Sequence, residues 1–302
     1  MAKRILCGIA CLLLLLGCSR KEPPPAPKAA PAKKLLIGLI PERNIFRQLE
    51  RYQPLADYLS RKTGAKIVLK VLPRYGNIID NFRSSGMDGA FFGSFTYPLA
   101  HAKVGVEVLA RPVALDNTST YYGMIFVRKD SRIRAARDMR GKRFAFVDKA
   151  TTAGYLLPLE YFQKHGISNY RKYLKETYFT GTHEGAIRDV LDRKADIGAA
   201  KNTVYYRIAK EDPRILRDLV VLTRSPDVPE NGLALRGDID PSMRDRMKEA
   251  LLNMHLDPEG VKVLKGFGAL KFIGTTDKDY AAVVEYAKDI HLDLAAYDYM
   301  NN

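Results

Sequence analysis

Cysteine is scarce in this chain of 302 residues, and its three cysteines all lie near the start, at Cys7, Cys11 and Cys18. Residues 19–302 therefore contain no thiol, which excludes disulfides, thiolate metal sites and cysteine nucleophiles from that part of the chain. The histidines show no spacing typical of metal ligands, and they are His101, His165, His183, His255 and His291. We therefore expect no metal site and no cofactor.

The N-terminal apolar run is too short to cross a bilayer. It extends from Ile5 to Leu16 behind Lys3 and Arg4, a pattern that predicts a secretory signal peptide over residues 1–17. The sequence Leu-Leu-Gly-Cys that ends at Cys18 resembles the lipobox of bacterial lipoproteins. This resemblance implies that Cys18 is lipidated and that the exported protein is anchored to a membrane facing the periplasm or the cell exterior.

Residues 18–34 have almost no core-forming side chains and much proline, so they predict a semi-extended tether behind the lipid. The formal net charge of the whole chain is +15, but the basic residues are dispersed. Export argues against a nucleic-acid partner. The charge favours an anionic ligand or proximity to anionic lipid, beside the simpler interpretation of a solvated basic surface.

From Leu35 onward, short apolar strands alternate with helical patterns, which predicts a layered α/β fold too long for one typical domain. Two strands, Tyr121–Ser131 and Asp218–Arg236, are expected to cross between two lobes and form a hinge. We assign residues 35–122 plus 223–302 to lobe 1 and residues 123–222 to lobe 2. A weak internal similarity, which places Asp88 opposite Asp196, supports two related lobes.

Polar donors follow two predicted strands. The strand RFAFVD leads into a helix through Thr151, Thr152, Ala153 and Gly154, where free N–H groups and the helix dipole favour an oxyanion. His183 follows the strand ETYFTG and begins the next helix, and ligands of open α/β sheets bind beyond the carboxyl ends of the strands. The alternatives are that a threonine is only a helix cap and that His183 is a cap or a packed core residue.

Taken together, these segments resemble the phosphate/phosphonate/phosphite-binding proteins of ABC transporters, which are periplasmic binding proteins with a two-lobed, type II Venus-flytrap fold. The similarity runs collinearly over residues 35–280. The matching segments are Ile37–Pro41, Gln53–Gly64, Tyr75, Gly86–Gly93, Tyr121 with the following VRKDS, Arg140–Lys142, Thr151–Tyr155 and Thr180–His183.

The resemblance implies an extracytoplasmic protein that captures a phosphorus oxyanion between its lobes and delivers it to an ABC permease, and it favours a monomer. The implied anion shell consists of Tyr75, Tyr121, Thr151, Thr152 and His183, completed by N–H groups near Ala153 and Gly154. Many neutral donors suit a dianion better than a desolvated cation does. For the tyrosines, the alternative is a packed aromatic ring whose hydroxyl is already satisfied.

This sequence departs from the family pattern in two places. Ala153 stands where the family turn usually has a serine, so one hydroxyl is missing. Thr203 and Asn231 stand where relatives that bind aminophosphonates place two carboxylates. This loss argues against an aminoalkyl phosphonate, because an unpaired buried ammonium is costly. Glu230, beside Asn231, is a possible substitute. We predict phosphate, phosphite or a small phosphonate with a neutral tail.

Two other hypotheses compete with transport. A hydrolase would use His183 and Glu184 as acid and base, but the second histidine of the His-Glu-x-x-His metal motif is missing, so we expect no enzymatic activity. The same fold could instead serve as a ligand-sensing lipoprotein acting on a membrane sensor, and one chain alone does not distinguish this from transport.

Overall fold

The computed structural model describes residues 33–72, 74–75 and 77–301. The predicted signal peptide, the lipidation site Cys18 and nearly all of the predicted tether lie outside these residues. Within them, no helix combines the length and the apolar character needed to cross a membrane.

The described residues form 13 strands and 11 α-helices. The strands are β1 (Lys34–Leu39), β2 (Lys66–Val71), β3 (Gly89–Phe92), β4 (Val106–Ala114), β5 (Thr120–Tyr121), β6 (Gly123–Arg128), β7 (Arg143–Phe146), β8 (Glu176–Phe179), β9 (Ile197–Lys201), β10 (Leu219–Arg224), β11 (Val228–Pro229), β12 (Gly232–Arg236) and β13 (Ala269–Gly274). The helices are α1 (Ile45–Thr63), α2 (Asn77–Ser84), α3 (Thr96–Val104), α4 (Leu157–Lys164), α5 (Tyr170–Tyr173), α6 (His183–Leu191), α7 (Asn202–Glu211), α8 (Arg214–Asp218), α9 (Pro241–Leu252), α10 (Pro258–Phe267) and α11 (Ala281–Asp289).

Two mixed sheets carry the fold. The first sheet has the order β13-β4-β12-β3-β1-β2, and the second has the order β10-β6-β9-β7-β8. β1 pairs in parallel with β2 and β3, and β7 pairs in parallel with β8 and β9, whereas β12 and β6 are antiparallel to their neighbours. The helices between parallel strands cover the faces of each sheet, as an α/β architecture requires. The predicted fold class is confirmed.

Both sheets contain the same hydrogen bond between an aspartate and a neighbouring strand, at the positions that the internal sequence similarity indicated. Asp88 precedes β3, and its carboxylate accepts a hydrogen bond of 2.8 Å from the N–H of Leu36 in β1. Asp196 precedes β9, and its carboxylate accepts a bond of the same length from the N–H of Arg143 in β7. Each aspartate thus ties the N-terminal end of one parallel strand to its neighbour.

The chain passes from the first sheet to the second at β5 and returns at β11, and these two short strands pair with each other as a separate ribbon. Next to the ribbon, the N–H of Gly123 donates to the Ser225 hydroxyl, and the N–H of Ser225 donates to the Gly123 carbonyl, both over 2.9 Å. The predicted crossing strands are therefore present as the connection between the sheets.

Buried side chains on both sheets complete the core. One cluster lies between the first sheet and helices α1, α9 and α10, with Tyr52, Phe91 and Phe267 in edge-to-face contact. A larger cluster spans the second sheet and the other face of the first. At the C-terminal end, Asn301 bonds to both Asp148 and Lys149, and so packs the last residues against the loop that follows β7.

Candidate functional site

A small cavity lined by buried residues lies where the carboxyl ends of strands from both sheets meet. Its walls come from loops after β1, β2, β3, β7 and β8, from the end of β9, and from the crossing segments. The lining residues are Ile40, Glu42, Tyr75, Gly93, Ser94, Phe95, Thr96, Tyr121, Ala150, Thr151, Thr152, His183, Lys201 and Asn231. Ligands of open α/β sheets bind at this edge.

The turn after β7 begins with a π-helical segment, Thr152–Leu156, rather than directly with the predicted α-helix. Its first internal bonds are from the N–H of Leu156 to the Thr151 carbonyl and from the N–H of Leu157 to the Thr152 carbonyl. The N–H groups from Thr152 to Tyr155 therefore have no acceptor within this helix. Thr152, the first of these residues, lines the cavity, so the start of the segment and its positive helix end lie at the cavity wall.

The two threonines of this turn differ in what their hydroxyls contact. The Thr151 hydroxyl donates to the Asp148 carbonyl over 2.7 Å, so its proton is already engaged within the loop. The Thr152 hydroxyl is buried and makes no hydrogen bond of normal geometry to the described residues, although it lies close enough to the Tyr121 hydroxyl to offset part of the increase that burial causes in the pKa of that tyrosine. Thr152 is thus the threonine with a donor still available inside the cavity.

Ala153 and Gly154 were predicted to complete the anion shell, but neither residue is part of the cavity lining. Ala153 packs on the backbone of Gly123, where a Cβ added to the glycine would lie 2.8 Å from the Ala153 Cα. A Cβ added to Gly154 would lie only 2.3 Å from the Val147 side chain. These residues allow the turn to pack closely on the second sheet, and the contribution of their N–H groups to an anion shell stays a prediction.

His183 is the first residue of α6 and lies on the cavity wall, as predicted. Its Nδ1 accepts a hydrogen bond of 3.3 Å from the N–H of Lys201, which requires the ring proton to be on Nε2. Burial lowers the pKa of His183 to about 3, so the ring is neutral at physiological pH. It is held as a neutral donor rather than a cation.

Tyr75 and Tyr121 also contribute to the lining. The Tyr75 hydroxyl is buried and has no partner in the part of the chain that the structure describes, and its ring meets the His183 ring edge to face at 5.7 Å. Burial, reinforced by the Glu42 carboxylate, raises the pKa of Tyr75 well above its usual value. Tyr75 therefore remains a neutral hydroxyl donor.

Lys201, which sequence analysis did not single out, is the most heavily partnered charge of the cavity. It ends β9 and is only 2% exposed. Its ammonium donates to Glu42 Oε1 at 3.0 Å, to Asn231 Oδ1 at 3.1 Å and to Glu230 Oε1, and it lies 4.3 Å from the centre of the Tyr121 ring. Burial opposes the charge, but Glu230 and Glu42 outweigh burial and raise the pKa of Lys201.

Glu42 takes part in the same cluster from the loop after β1. Burial alone would raise its pKa, but the Lys201 ammonium dominates the charges around it, and the pKa falls to about 2. Asn231, a predicted site residue, donates from Nδ2 to Glu42 Oε1 over 3.0 Å. Thr203 lies in the first turn of α7, half-buried and outside the cavity lining, because β9 ends at Lys201 and the helix starts immediately afterwards.

A signal for Lys201 was present in the sequence. It ends the otherwise apolar strand Ile-Gly-Ala-Ala-Lys, at the strand end where the loops carrying Thr152 and His183 were also expected to converge. Glu230 was named only as a possible substitute beside Asn231. Its meeting with Glu42 could not be recognised in this way, because the two glutamates come from loops that are 188 residues apart and meet only in the tertiary structure.

The hydrolase hypothesis finds no support in the surroundings of Glu184. Its carboxylate accepts from Arg188 Nε over 2.8 Å and from the N–H of Asn44 over 3.2 Å, and it lies 3.7 Å from Arg43. Within residues 33–72, 74–75 and 77–301, no group of three or more histidine, cysteine or acidic side chains is arranged to hold a metal ion.

Comparison with known proteins agrees with this geometry. Residues 37–280 match the model of a family described as "ABC transporter, phosphonate, periplasmic substrate-binding protein". The phosphonates-binding periplasmic protein of Escherichia coli is 26% identical over 268 residues, covering 87% of this chain and 78% of that protein.

Two solved structures show the same fold. A binding protein component of an ABC phosphonate transporter from Pseudomonas aeruginosa superposes with a TM-score of 0.80 at 22% identity, covering 86% of this chain and 87% of the other. PhnD1 from Prochlorococcus marinus in complex with methylphosphonate superposes with a TM-score of 0.76 at 21% identity, covering 85% and 98%. Since the family model matches most of the chain, this protein belongs to the family of periplasmic substrate-binding proteins of phosphonate ABC transporters.

Proposed function

We propose that this protein captures a small phosphorus oxyanion, namely phosphate, phosphite or a phosphonate with a short neutral tail, in the cavity between its two sheets. The observation that supports the proposal most strongly is the pair of buried hydroxyls of Thr152 and Tyr75 in one cavity, neither of which is hydrogen-bonded to the residues that the structure describes. A buried hydroxyl without a partner is costly, so such groups are normally satisfied by a ligand or water.

The cavity offers donors of the kind a tetrahedral anion needs. The Thr152 and Tyr75 hydroxyls, the Nε2–H of His183 and the N–H groups at the start of the π-helical turn are all neutral donors. Oriented neutral donors at a helix start stabilise an oxyanion without burying an additional charge. A structural relative of this chain binds methylphosphonate, which supports the same ligand class here.

Closure of two lobes around the ligand is part of this proposal, with lobe 1 formed by residues 35–122 plus 223–302 and lobe 2 by residues 123–222. The ribbon of β5 and β11 is suited to act as the hinge. Contacts across the cleft support a closed state, because Arg43 donates to both carboxylate oxygens of Glu211 at 3.0 Å and Lys201 reaches Glu42. X-ray scattering with and without ligand should show compaction, and identical curves would contradict closure.

Transport requires an ABC permease and, in the form we propose, a membrane anchor at Cys18. Metabolic labelling with a radioactive fatty acid should label the wild-type protein and not a Cys18→Ala variant. Co-purification with a permease would support transport, whereas co-purification with a sensor kinase would support the sensory alternative.

The experiment that tests ligand capture is a thermal-unfolding screen of the purified protein after refolding to remove bound ligand. The compounds are phosphate, phosphite, methylphosphonate, 2-aminoethylphosphonate, sulfate and an alkyl sulfonate. A ligand that binds only the folded state raises the melting temperature as its concentration exceeds Kd. A shift with a phosphorus oxyanion and none with sulfate or sulfonate is expected, and no shift with any phosphorus compound would refute the proposal.

A further inference from the structure

The cluster around Lys201 has the composition of a complete ammonium-binding site. An ammonium group has three N–H donors, and three side-chain oxygens meet the Lys201 ammonium, from Glu42, Glu230 and Asn231. The Tyr121 ring lies 4.3 Å away, a distance at which an aromatic ring attracts a cation. All of these groups are sheltered, since the side chains of Lys201, Glu42 and Glu230 are 3%, 6% and 15% exposed.

The oxygens of this site come from different elements than the ammonium they hold. Glu42 follows β1, and Glu230 with Asn231 lies between β11 and β12, whereas Lys201 ends β9 of the second sheet. The side chain of Asn231 donates from Nδ2 to Glu42 Oε1 over 3.0 Å, and its backbone N–H donates to Glu230 Oε1 over 3.0 Å. The oxygens are thus positioned by contacts that do not involve Lys201.

The ammonium of Lys201 is not a free counter-charge for an anion. Lys201 balances the charge of one of its two carboxylates, and the guanidinium of Arg207, which also acts on Glu42 and Glu230, balances the other. The anion-binding end of the same cavity has neutral donors instead. A ligand bearing both an anionic group and an amine would bring a second ammonium toward Lys201, with no unpaired carboxylate left in the cluster. Placing two buried cations together without an additional partner is strongly unfavourable.

We propose that Lys201 is a built-in occupant of a cation subsite formed by Glu42, Glu230, Asn231 and the face of Tyr121, and that it sets ligand specificity by excluding ligands with a primary amine. Removing the lysine side chain opens this subsite to a small alkylammonium. The exclusion of aminoalkyl phosphonates rests on the proposed function, whereas the subsite itself does not.

The test is chemical rescue of the full chain by methylammonium. Thermal unfolding of Lys201→Ala is measured in methylammonium chloride and, as the ionic-strength control, in equal sodium chloride. We expect methylammonium to raise the melting temperature of Lys201→Ala by several degrees and to leave the wild type unchanged. Lys201→Met is the matched variant, because it loses the same charge but its side chain still fills the space, so we expect no rescue.

Binding measurements then test specificity. We expect wild-type protein to bind 2-aminoethylphosphonate at least about tenfold more weakly than ethylphosphonate, and Lys201→Ala to reverse this order. Methylammonium that stabilises Lys201→Ala no more than sodium does, or stabilises Lys201→Met equally, would overturn the subsite. If Lys201→Ala folds only when methylammonium is present, that too is rescue and supports it.

Ligand binding to the wild-type protein is a second test of the proposal, and it does not require any variant to fold. Binding of 2-aminoethylphosphonate as tight as that of ethylphosphonate would show that the amine finds a partner despite Lys201, and would overturn the proposal. Rescue of Lys201→Ala by methylammonium together with no binding of any phosphorus compound to the wild type would leave the cation subsite standing and refute the proposed function.

Discussion

The two ends of the cavity differ in charge: one end is lined by neutral polar groups, and the other by charged groups that are paired with one another. At one end, Thr152 and Tyr75 present neutral hydroxyls without hydrogen bonds to the described residues, beside a neutral His183. At the other end, Lys201, Glu42, Glu230 and Asn231 are hydrogen-bonded to one another. In our proposal the ligand completes the first end, whereas the bonds of the second end are already present without a ligand.

This contrast separates binding from stability within one small cavity. Substitutions at the charged end should mainly change the free energy of unfolding of the ligand-free protein, because they leave a buried charge unpaired. Substitutions of Thr152 or Tyr75 at the neutral end should mainly change ligand affinity, because their hydroxyls make no hydrogen bond to the described residues that could be lost.

The largest effect is expected for Lys201→Met. The substitution leaves Glu42 and Glu230 without their cation in a buried setting, so we expect the free energy of unfolding to fall by about 3–5 kcal/mol at pH 7. Urea denaturation of the ligand-free protein measures it. Lys210→Met, at an exposed lysine of α7, is the matched control and should change stability by less than about 0.5 kcal/mol. A loss below about 1 kcal/mol for Lys201→Met would contradict the view that the cluster stabilises the fold.

His183 should make stability depend on pH in a window of its own. Its pKa falls from 6.5 to about 3 on folding, so the unfolded chain binds more protons between these values, and stability is lost as the pH falls below 6.5. The pKa of Glu42 falls from 4.5 to about 2, so its contribution is lost only below pH 4.5.

Between pH 6.5 and 4.5 we therefore expect the unfolding free energy to decrease with a slope that approaches about 1.4 kcal/mol per pH unit from His183. His183→Asn, which retains an acceptor for the Lys201 N–H, should remove this component, whereas His165→Asn at an exposed site should keep it. Equal slopes for wild type and His183→Asn in urea titrations across this range would show that the ring is not buried as a neutral group.

Thr152→Val tests the neutral end directly. We expect affinity for the phosphorus oxyanion to fall by about 1–3 kcal/mol, the cost of losing one donor from a buried polar site. Calorimetric titration measures it. Thr223→Val, which makes the same change on β10 outside the cavity, is the control and should bind as the wild type does. Unchanged affinity in Thr152→Val would remove Thr152 from the anion shell.

Sequence reasoning succeeded where function depends on strand order and on local chain pattern. Alternating strands and helices predicted the α/β fold, and the crossing segments, the paired Asp88 and Asp196 and the convergence of Thr152 with His183 follow from that pattern. Each of these features is determined by periodicity or by which strand end a loop follows.

The charged end of the cavity could not be predicted in the same way. The argument against an aminophosphonate rested on missing carboxylates at Thr203 and Asn231, but the structure brings two other carboxylates, Glu42 and Glu230, into the cavity region. In our proposal the amine is opposed for a different physical reason, because a lysine of the chain already occupies those carboxylates. The pairing of Lys201 with these carboxylates depends on the packing of three segments that are far apart in the sequence, so no local sequence pattern predicts it.

Tyr75→Phe should have the smallest effect on the free energy of unfolding of the ligand-free protein, and it therefore separates binding from stability most clearly. The Tyr75 hydroxyl is buried and has no hydrogen-bond partner within residues 33–72, 74–75 and 77–301, so removing it deletes no bond seen there and removes an unsatisfied donor. We expect the free energy of unfolding without ligand to stay the same or to rise by up to about 1 kcal/mol, while ligand affinity falls. Tyr205→Phe, which removes a buried hydroxyl bonded to the Ile215 carbonyl over 3.3 Å, should instead lose stability without losing affinity. If urea denaturation showed Tyr75→Phe to be less stable than Tyr205→Phe, the Tyr75 hydroxyl would have to form a hydrogen bond in the ligand-free protein. That result would contradict the view that this hydroxyl is free to bind an anion.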